Sequence, residues 1–275
     1  MNKHFKRIFT KSRFLILAGL FIPCSIMASA IINVPSSGIP SITAAMVKAK
    51  AGDTVIVENG IYKEHIFIKA GVALKARNMH KATLDGKGRG TVVTMGSSSS
   101  IIGFVVKNGT IGIFTKNAGI AIARCLIKNN NQTGIITVRH LPRIEDNIIV
   151  FNRASGIQGW DVRSTVASVN HNTIAFNKNH GVSVGGSSNI IIENNVVAYN
   201  ERFALKLSSD SERSKVVKNN FYKNLKQVQK IPAGNYSFDP AFISPRIGLN
   251  FRSNPKLCCQ IKSSNNENLG ARINY

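Results

Sequence analysis

The sequence predicts an all-β solenoid of short parallel strands, a right-handed parallel β-helix with a short N-terminal capping helix. Three observations predict it. First, asparagines recur with a period in the twenties: Asn108, Asn130, Asn152, Asn177, Asn200 and Asn224 follow one another at 22, 22, 25, 23 and 24 residues. Five residues before each stands a second column, Gly103, Cys125, Asn147, Asn172, Asn195 and Asn219, so that four consecutive coils carry Asn-x-x-x-x-Asn. Second, apolar columns keep phase with them: Ile122, Ile144, Val169, Ile192 and Val216 before, and Ile127, Ile149, Ile174, Val197 and Phe221 after. Third, β-branched runs of three to five residues fill each coil, and ten-residue helical patterns are absent from the repeats.

A coil of this length cannot bury its own apolar face, so it is stable only when stacked on its neighbours. In-register coils sit ~4.8 Å apart, which aligns identical side chains in ladders. Asn suits the corners because it tolerates left-handed backbone and its amide can bond the Asn of the next coil. Phe151, Phe176 and Tyr199 are expected to lie one above another, and Cys125 to be a small buried residue. Leucine-rich repeats, the rival solenoid, need a periodic Leu that is missing.

The ends follow from the same physics, because an open solenoid exposes its core. Ser41–Lys50 is the one good helix candidate, with Ser41 as N-cap and Gly52 as the stop. The expected division is a cap over 31–99, regular coils over about 100–228 and an irregular tail over 229–275.

Residues 1–30 read as a secretory signal peptide: five basic residues up to Arg13, an apolar run Phe14–Met27 and the small-x-small sequence Ala28-Ser29-Ala30. A lipoprotein signal around Cys24 fits less well, since Phe-Ile-Pro-Cys24 is a poor lipobox. No later segment is long enough to span a membrane. The expected product is therefore exported, periplasmic or extracellular, and monomeric. Removing the five basic residues of the signal from a formal charge of +23 leaves +18. Such a chain attracts polyanions, among them acidic polysaccharide, lipopolysaccharide and anionic membrane. Export makes nucleic acid the least natural partner, and the scattered Lys and Arg also fit a merely solubilising surface. Cys125, Cys258 and Cys259 remain after cleavage, an odd number without metal-type spacing.

At its start the mature chain becomes specific. Ser41-Ile-Thr-Ala-Ala45, then Ala51-Gly-Asp-Thr-Val-Ile-Val57, then Gly60-x-Tyr62-x-Glu64 resembles the opening of pectin-lyase-like β-helix proteins. Ile101-Ile-Gly-Phe-Val-Val-Lys-Asn-Gly109 is similar to their first coils. Asp239-Pro240-Ala-Phe242, Asn254-Pro255 and Leu269-Gly270-Ala271 resemble the terminal segment of bacterial members. The resemblance implies a substrate cleft along the strand that opens each coil with Gly-apolar. Alternation then turns Phe114, Ile136, Gln158, Ser183 and Lys206 outward in one column, and Lys116, Val138, Trp160, Gly185 and Ser208 in a second. Six coils make a groove of roughly 25 Å.

The 25-residue coil is irregular around Trp160-Asp-Val-Arg-Ser-Thr165 and holds the only Trp of the chain. An aromatic platform beside an acid and an Arg suits sugar stacking and carboxylate pairing. The alternative is an indole covering apolar surface beside a solvated Asp161–Arg163 pair. Gln158, Trp160, Asp161, Arg163 and Lys206 are the candidate substrate-binding residues.

Known chemistries of the superfamily are mostly missing. Asn179-His180-Gly-Val-Ser-Val-Gly185 resembles a polygalacturonase segment, yet Gln158 and Gly159 stand where an acid pair is required. Arg139-His-Leu-Pro142-Arg143 has the wrong spacing for a pectate lyase. A Ca²⁺ site wants six to eight oxygens, and only Glu145, Asp146 and Asp161 lie near. The acid pair of pectinesterases and the Asp-Pro-His-Asp of alginate epimerases do not occur. What remains is metal-free β-elimination or epimerisation, with Arg139, His140, Arg163 and Lys206 as candidate catalytic residues. No cofactor is expected.

The leading expectation is a polysaccharide-binding and processing β-helix, a lyase or epimerase before a hydrolase. A non-catalytic envelope or adhesion protein is the second. A periplasmic accessory factor of the copper-maturation type is the third, without a ligand cluster to support it.

Overall fold

A computed structural model describes residues 29–163, 167–187, 189–208, 214–226, 232–244, 250–253 and 270–272. The expected signal peptide up to residue 28, Ser164, Thr165, the Asn254-Pro255 and Cys258-Cys259 pairs and Leu269 lie outside these. The chain is a right-handed parallel β-helix. Three sheets of nine, eight and seven strands run its length, and each coil adds one strand to each sheet. One coil illustrates the order: Ala121–Ala123 joins the nine-stranded sheet, Leu126–Lys128 the eight-stranded and Ile135–Val138 the seven-stranded. All strands within these sheets pair in parallel.

The coils begin earlier than the Asn period suggests. Ile31–Val34 already pairs with Thr54–Val57, which pairs with Ala73–Ala76. The segment expected as a cap over 31–99 therefore holds stacked coils as well as the helix. Those coils carry no buried Asn ladder, only the exposed corner pair Asn78–Asn59 at 3.1 Å, which is why the period misses them. The helix itself spans Ile42–Lys48, with the Ser41 hydroxyl accepting the Ala44 N–H at 3.1 Å. It stops at Ala49, whose backbone is extended, before Gly52 is reached. Ile42, Ala45 and Met46 plug the open end of the core.

Inside, the columns align in register. Val55, Leu74, Ile101, Ile122, Ile144, Val169 and Ile192 stack through the nine-stranded sheet, all fully buried. Cys125 is buried as expected, and burial pushes its thiol up to about 12.

Two corners carry asparagine ladders. In one, Asn130, Asn152, Asn177, Asn200 and Asn224 each lie at most 6 % exposed. From Asn152 onward each Oδ1 accepts both the backbone N–H and the Nδ2 of the Asn one coil before. For Asn177 accepting from Asn152 these are 3.1 and 2.9 Å. Each Nδ2 also donates to a carbonyl of the preceding coil, as Asn177 does to Ile149 at 3.1 Å. The second ladder runs Asn147, Asn172, Asn195, Asn219 and then Asn235, which the regular period does not reach.

Two details correct the reading from sequence. The ladder asparagines do not take the left-handed conformation. The residue before each does: Asn129, Asp146, Phe151, His171, Phe176, Asn194, Tyr199, Lys218 and Lys223 all have positive φ. The Asn is selected for its amide. Asn108 also falls out of the ladder, because Lys107 pairs with Lys128 and so sets Asn108 beside Asn129. Gly109 takes the ladder position and donates its N–H to Asn130 Oδ1 at 3.0 Å.

The glycines that open the seven-stranded coils have a steric cause. A Cβ at Gly134 would lie 2.8 Å from the Gly156 carbonyl oxygen and 2.9 Å from the ladder amide of Asn152. The close corner that lets the amides stack leaves no room for a side chain.

On the eight-stranded sheet the outward residues Val105, Leu126, Ile148, Val150 and Ala175 form a second apolar cluster, with Phe242 and Ala271 packed on it. Phe151, Phe176 and Tyr199 stack beside it at 5.3 and 5.0 Å between centroids, as expected. Tyr199 donates its hydroxyl to Asp239 at 2.8 Å, and Phe242 tilts against Phe176 and Tyr199. The last described residues then run along the corner. Gly270 N–H bonds the Asn194 carbonyl, Ala271 N–H the Thr173 hydroxyl, and Arg272 grips Asp146 with Nε at 2.8 Å and a terminal nitrogen at 3.1 Å.

Two outcomes follow from these contacts. Asn177→Leu removes the acceptor of both the Asn152 N–H and its Nδ2 and takes a donor from the Ile149 carbonyl, so it should destabilise the protein by about 3 kcal/mol or more in denaturant titration. Arg272→Ala leaves the buried Asp146 carboxylate without its cation and should lower stability by about 1–3 kcal/mol, with Asp146→Asn in the same background recovering part of the loss.

Candidate functional site

The outward side of the seven-stranded sheet is the surface on which the expected site residues fall. Register places Phe67, Thr94, Phe114, Ile136, Gln158, Ser183 and Lys206 in one column, the order expected from Phe114 onward and two coils longer at its N-terminal end. Its character changes along the axis. Phe67 is exposed and Phe114 half-buried, Ile136 is covered, and then come an amide, a hydroxyl and an ammonium. Gln158 Nε2 reaches Ser183 Oγ at 3.5 Å.

The second column passes through Val138 and Trp160, which pair directly. Gly185 continues it, since its N–H bonds the Gly159 carbonyl at 3.0 Å, and Ser208 follows through the Val184 carbonyl at 3.1 Å. Trp160 leaves 54 % of its surface to solvent.

After Trp160 the ladder is broken by one residue. The Gly185 carbonyl accepts from Val162 N–H rather than from Asp161, and Asp161 takes a left-handed backbone, φ +49. This bulge starts the longer coil and turns Asp161 and Arg163 outward while Val162 is fully buried. The coil below is held to it: Arg139 N–H bonds the Trp160 carbonyl, and Arg163 N–H bonds the Arg139 carbonyl. Arg139 is itself left-handed, φ +67, and the Thr137 hydroxyl bonds the His140 carbonyl across the turn.

The structure thus gathers Arg139, His140, Trp160, Asp161 and Arg163 at one end of two adjacent strands. Gln158 and Lys206 stand two coils apart on the neighbouring column. Arg163 Nε is engaged by Asp161 Oδ1 at 2.9 Å in an exposed pair. The two outward columns contain no carboxylate, so paired-acid hydrolysis has no groups to use there. Glu145 and Asp146 lie on the far side of the coil, where Glu145 faces Arg143 at 3.7 Å and Asp146 holds Arg272. With Asp161 paired to Arg163, those three carboxylates do not converge on a common cation. Among the described residues no three of His, Cys, Asp and Glu come together as metal ligands.

His180, at the corner that opens its coil, is a structural residue. It is 7 % exposed, its ring stacks on Phe203 at 5.5 Å, and Nδ1 accepts the Phe203 N–H at 3.2 Å. Burial lowers its pKa from 6.5, and the charges of Lys206 and Arg202 lower it further. The unfolded chain therefore binds this proton first, and stability should fall as pH drops below about 6.5. The melting temperature of the parent should decline between pH 7 and 5 more steeply than that of His180→Asn.

Comparison with known proteins bears on the whole span. The pectate lyase Pel9A superposes with a TM-score of 0.57 at 13 % identity, covering 91 % of this chain and 90 % of that one. A mannuronic acid specific polysaccharide family 6 lyase from human gut microbiota gives a TM-score of 0.56 at 15 % identity, covering 70 % of this chain. The family 6 alginate lyase AlyGC gives 0.54 at 18 %, covering 71 %. The chain spans 54 % of the gut lyase and 32 % of AlyGC. At such identities the likeness is one of fold. Curated protein sequences give no significant match. No helix among the described residues is long and apolar enough to cross a membrane. The profile of the family described as periplasmic copper-binding protein (NosD) matches residues 46–241, from the end of the capping helix to the start of the tail. On that match the chain belongs to the NosD family.

Proposed function

We propose that this chain is an exported solenoid that binds an acidic polysaccharide along the outward face of the seven-stranded sheet. The observation that carries the reading is the pair of registered columns, Phe67 to Lys206 and Val138 to Ser208. They place exposed aromatic side chains, an amide, hydroxyls and an exposed lysine on two adjacent lines, with no acid among them. Aromatic faces stack on sugar rings, while ammonium and guanidinium groups meet carboxylates. The formal charge of +18 without residues 1–30 adds long-range attraction. The solved structures with the same fold include lyases of uronate polymers by their names, which is consistent with this reading.

If the polymer is processed as well as bound, proton abstraction beside its carboxylate is the reaction class, with Arg139, His140, Arg163 or Lys206 as base and neutralising cation. The bonding of Arg163 to Asp161 and the lack of a groove carboxylate favour the second reading, a binding protein of the envelope without catalysis. The family description adds copper. The described residues do not fit a copper centre: Met46 and Met95 are core residues, Cys125 is sealed in the solenoid, and His65, His80 and His180 bond the backbone at separate places. No step is assigned to the metal.

Incubation with alginate, polygalacturonate and glycosaminoglycans separates the readings. Retarded migration in gels containing the acidic polymers, weakening with salt, is the expected result. Absorbance from unsaturated products, or epimerised product, would add catalysis. Failure to bind any of these polymers would overturn the proposal.

A further inference from the structure

We propose a seat for one uronate ring at the C-terminal part of the groove, with Gly185 as its floor, Trp160 as one wall and Lys206 as the group that receives the carboxylate. The inference rests on the polysaccharide-binding reading and deepens it.

Gly185 is the residue that points to the seat. Most glycines of this chain are explained by the backbone. Gly186 beside it has φ +113, and a Cβ there would lie 2.4 Å from Val162 backbone atoms. Those that open each coil would collide with the asparagine ladder. Gly185 has neither reason. Its φ is not left-handed, and among the described residues a Cβ built on it would meet a single atom, the Gly159 carbonyl oxygen, at 3.9 Å. Folding does not require a glycine at this place.

What the missing side chain leaves is a gap in an otherwise continuous column. Trp160 stands one coil below and Ser208 one coil above, so the flanking positions are about 10 Å apart at the spacing of stacked strands. A pyranose ring fits between side chains at that distance, and the exposed indole offers it an apolar face. Beside the gap, one column away, Gln158, Ser183 and Lys206 rise in step with Trp160, Gly185 and Ser208. Lys206 is exposed and has no acidic partner among the described residues. Its charge is felt nearby, since it helps to hold His180 neutral. A sugar in the gap thus meets an aromatic wall on one side and, on the other, an ammonium that no described carboxylate engages. That combination selects a ring bearing a carboxylate over a neutral one.

Trp160 is the only tryptophan of the chain and reports directly on the seat. Titration with a trimer of galacturonate or mannuronate should shift or quench its emission saturably, whereas maltotriose should not. Lys206→Met should weaken binding of the uronate trimer about tenfold. Gly185→Leu, which the open space around residue 185 accommodates, should abolish the emission change while leaving the melting temperature near that of the parent. A Gly185→Leu protein that keeps parental affinity and the same response overturns the seat, as does a neutral trimer that acts equally well. If polyuronate is retained in gels but the emission does not change, the seat is wrong and the groove reading survives. If no polyuronate binds, both fall.

Discussion

The stacked amides of the two asparagine ladders hold this protein in register. A parallel β ladder leaves its register to the side chains, because the backbone groups alone can pair again two residues along. The ladders remove that freedom. Each buried Oδ1 receives two donors from the coil below, and a one-residue slip would leave them unsatisfied in a core from which water is excluded. The tight corner that brings the amides together forces glycine at Gly112, Gly134, Gly156 and Gly181 and a left-handed residue before each Asn. The straight outward columns of the seven-stranded sheet follow from this. A binding face built on them inherits its order from amides at the corner that opens the sheet.

That dependence explains what was legible in the sequence. The column Phe114, Ile136, Gln158, Ser183 and Lys206 could be read because Gly-apolar begins each strand and the ladders keep the phase. Where the Asn signal stops, legibility stops with it. The coils before residue 100 use Val and Leu inside but no buried corner amide, and Asn108 was matched one place off because Asn129 and Asn130 adjoin. Asn235 lies 16 residues beyond Asn219 and breaks the period. The Arg272–Asp146 pair joins residues 126 apart; no local pattern encodes it. At the site, sequence singled out Trp160 and Lys206, while the significance of Gly185 appears only once the space around it is measured.

Fold and family answer different questions here. The superfamily resemblance read from Ser41 to Glu64 and the superposition on lyases describe a scaffold, and a scaffold hosts many chemistries. Membership in the NosD family places the chain among proteins described as periplasmic, in agreement with the least favoured of the three functional expectations as far as family goes. The donor set that copper would need is not gathered among the described residues. The outward aromatic, amide and lysine columns of the seven-stranded sheet are present, and the proposed function is built on them.

The ladders also have a direction. Between successive asparagines the Nδ2 donates toward the C-terminal end and the Oδ1 accepts from the N-terminal side, so the two ends of the stack are unlike, one a row of sockets and the other a row of plugs. Gly109 and Cys125 fill the first sockets with plain backbone N–H groups, and Asn235 offers the last acceptor. A whole coil ending in the same asparagine would mate with both neighbours wherever it was spliced in. The groove can therefore lengthen by one rung, about 4.8 Å, without any other contact being redesigned. A solenoid built this way sets its length by counting coils.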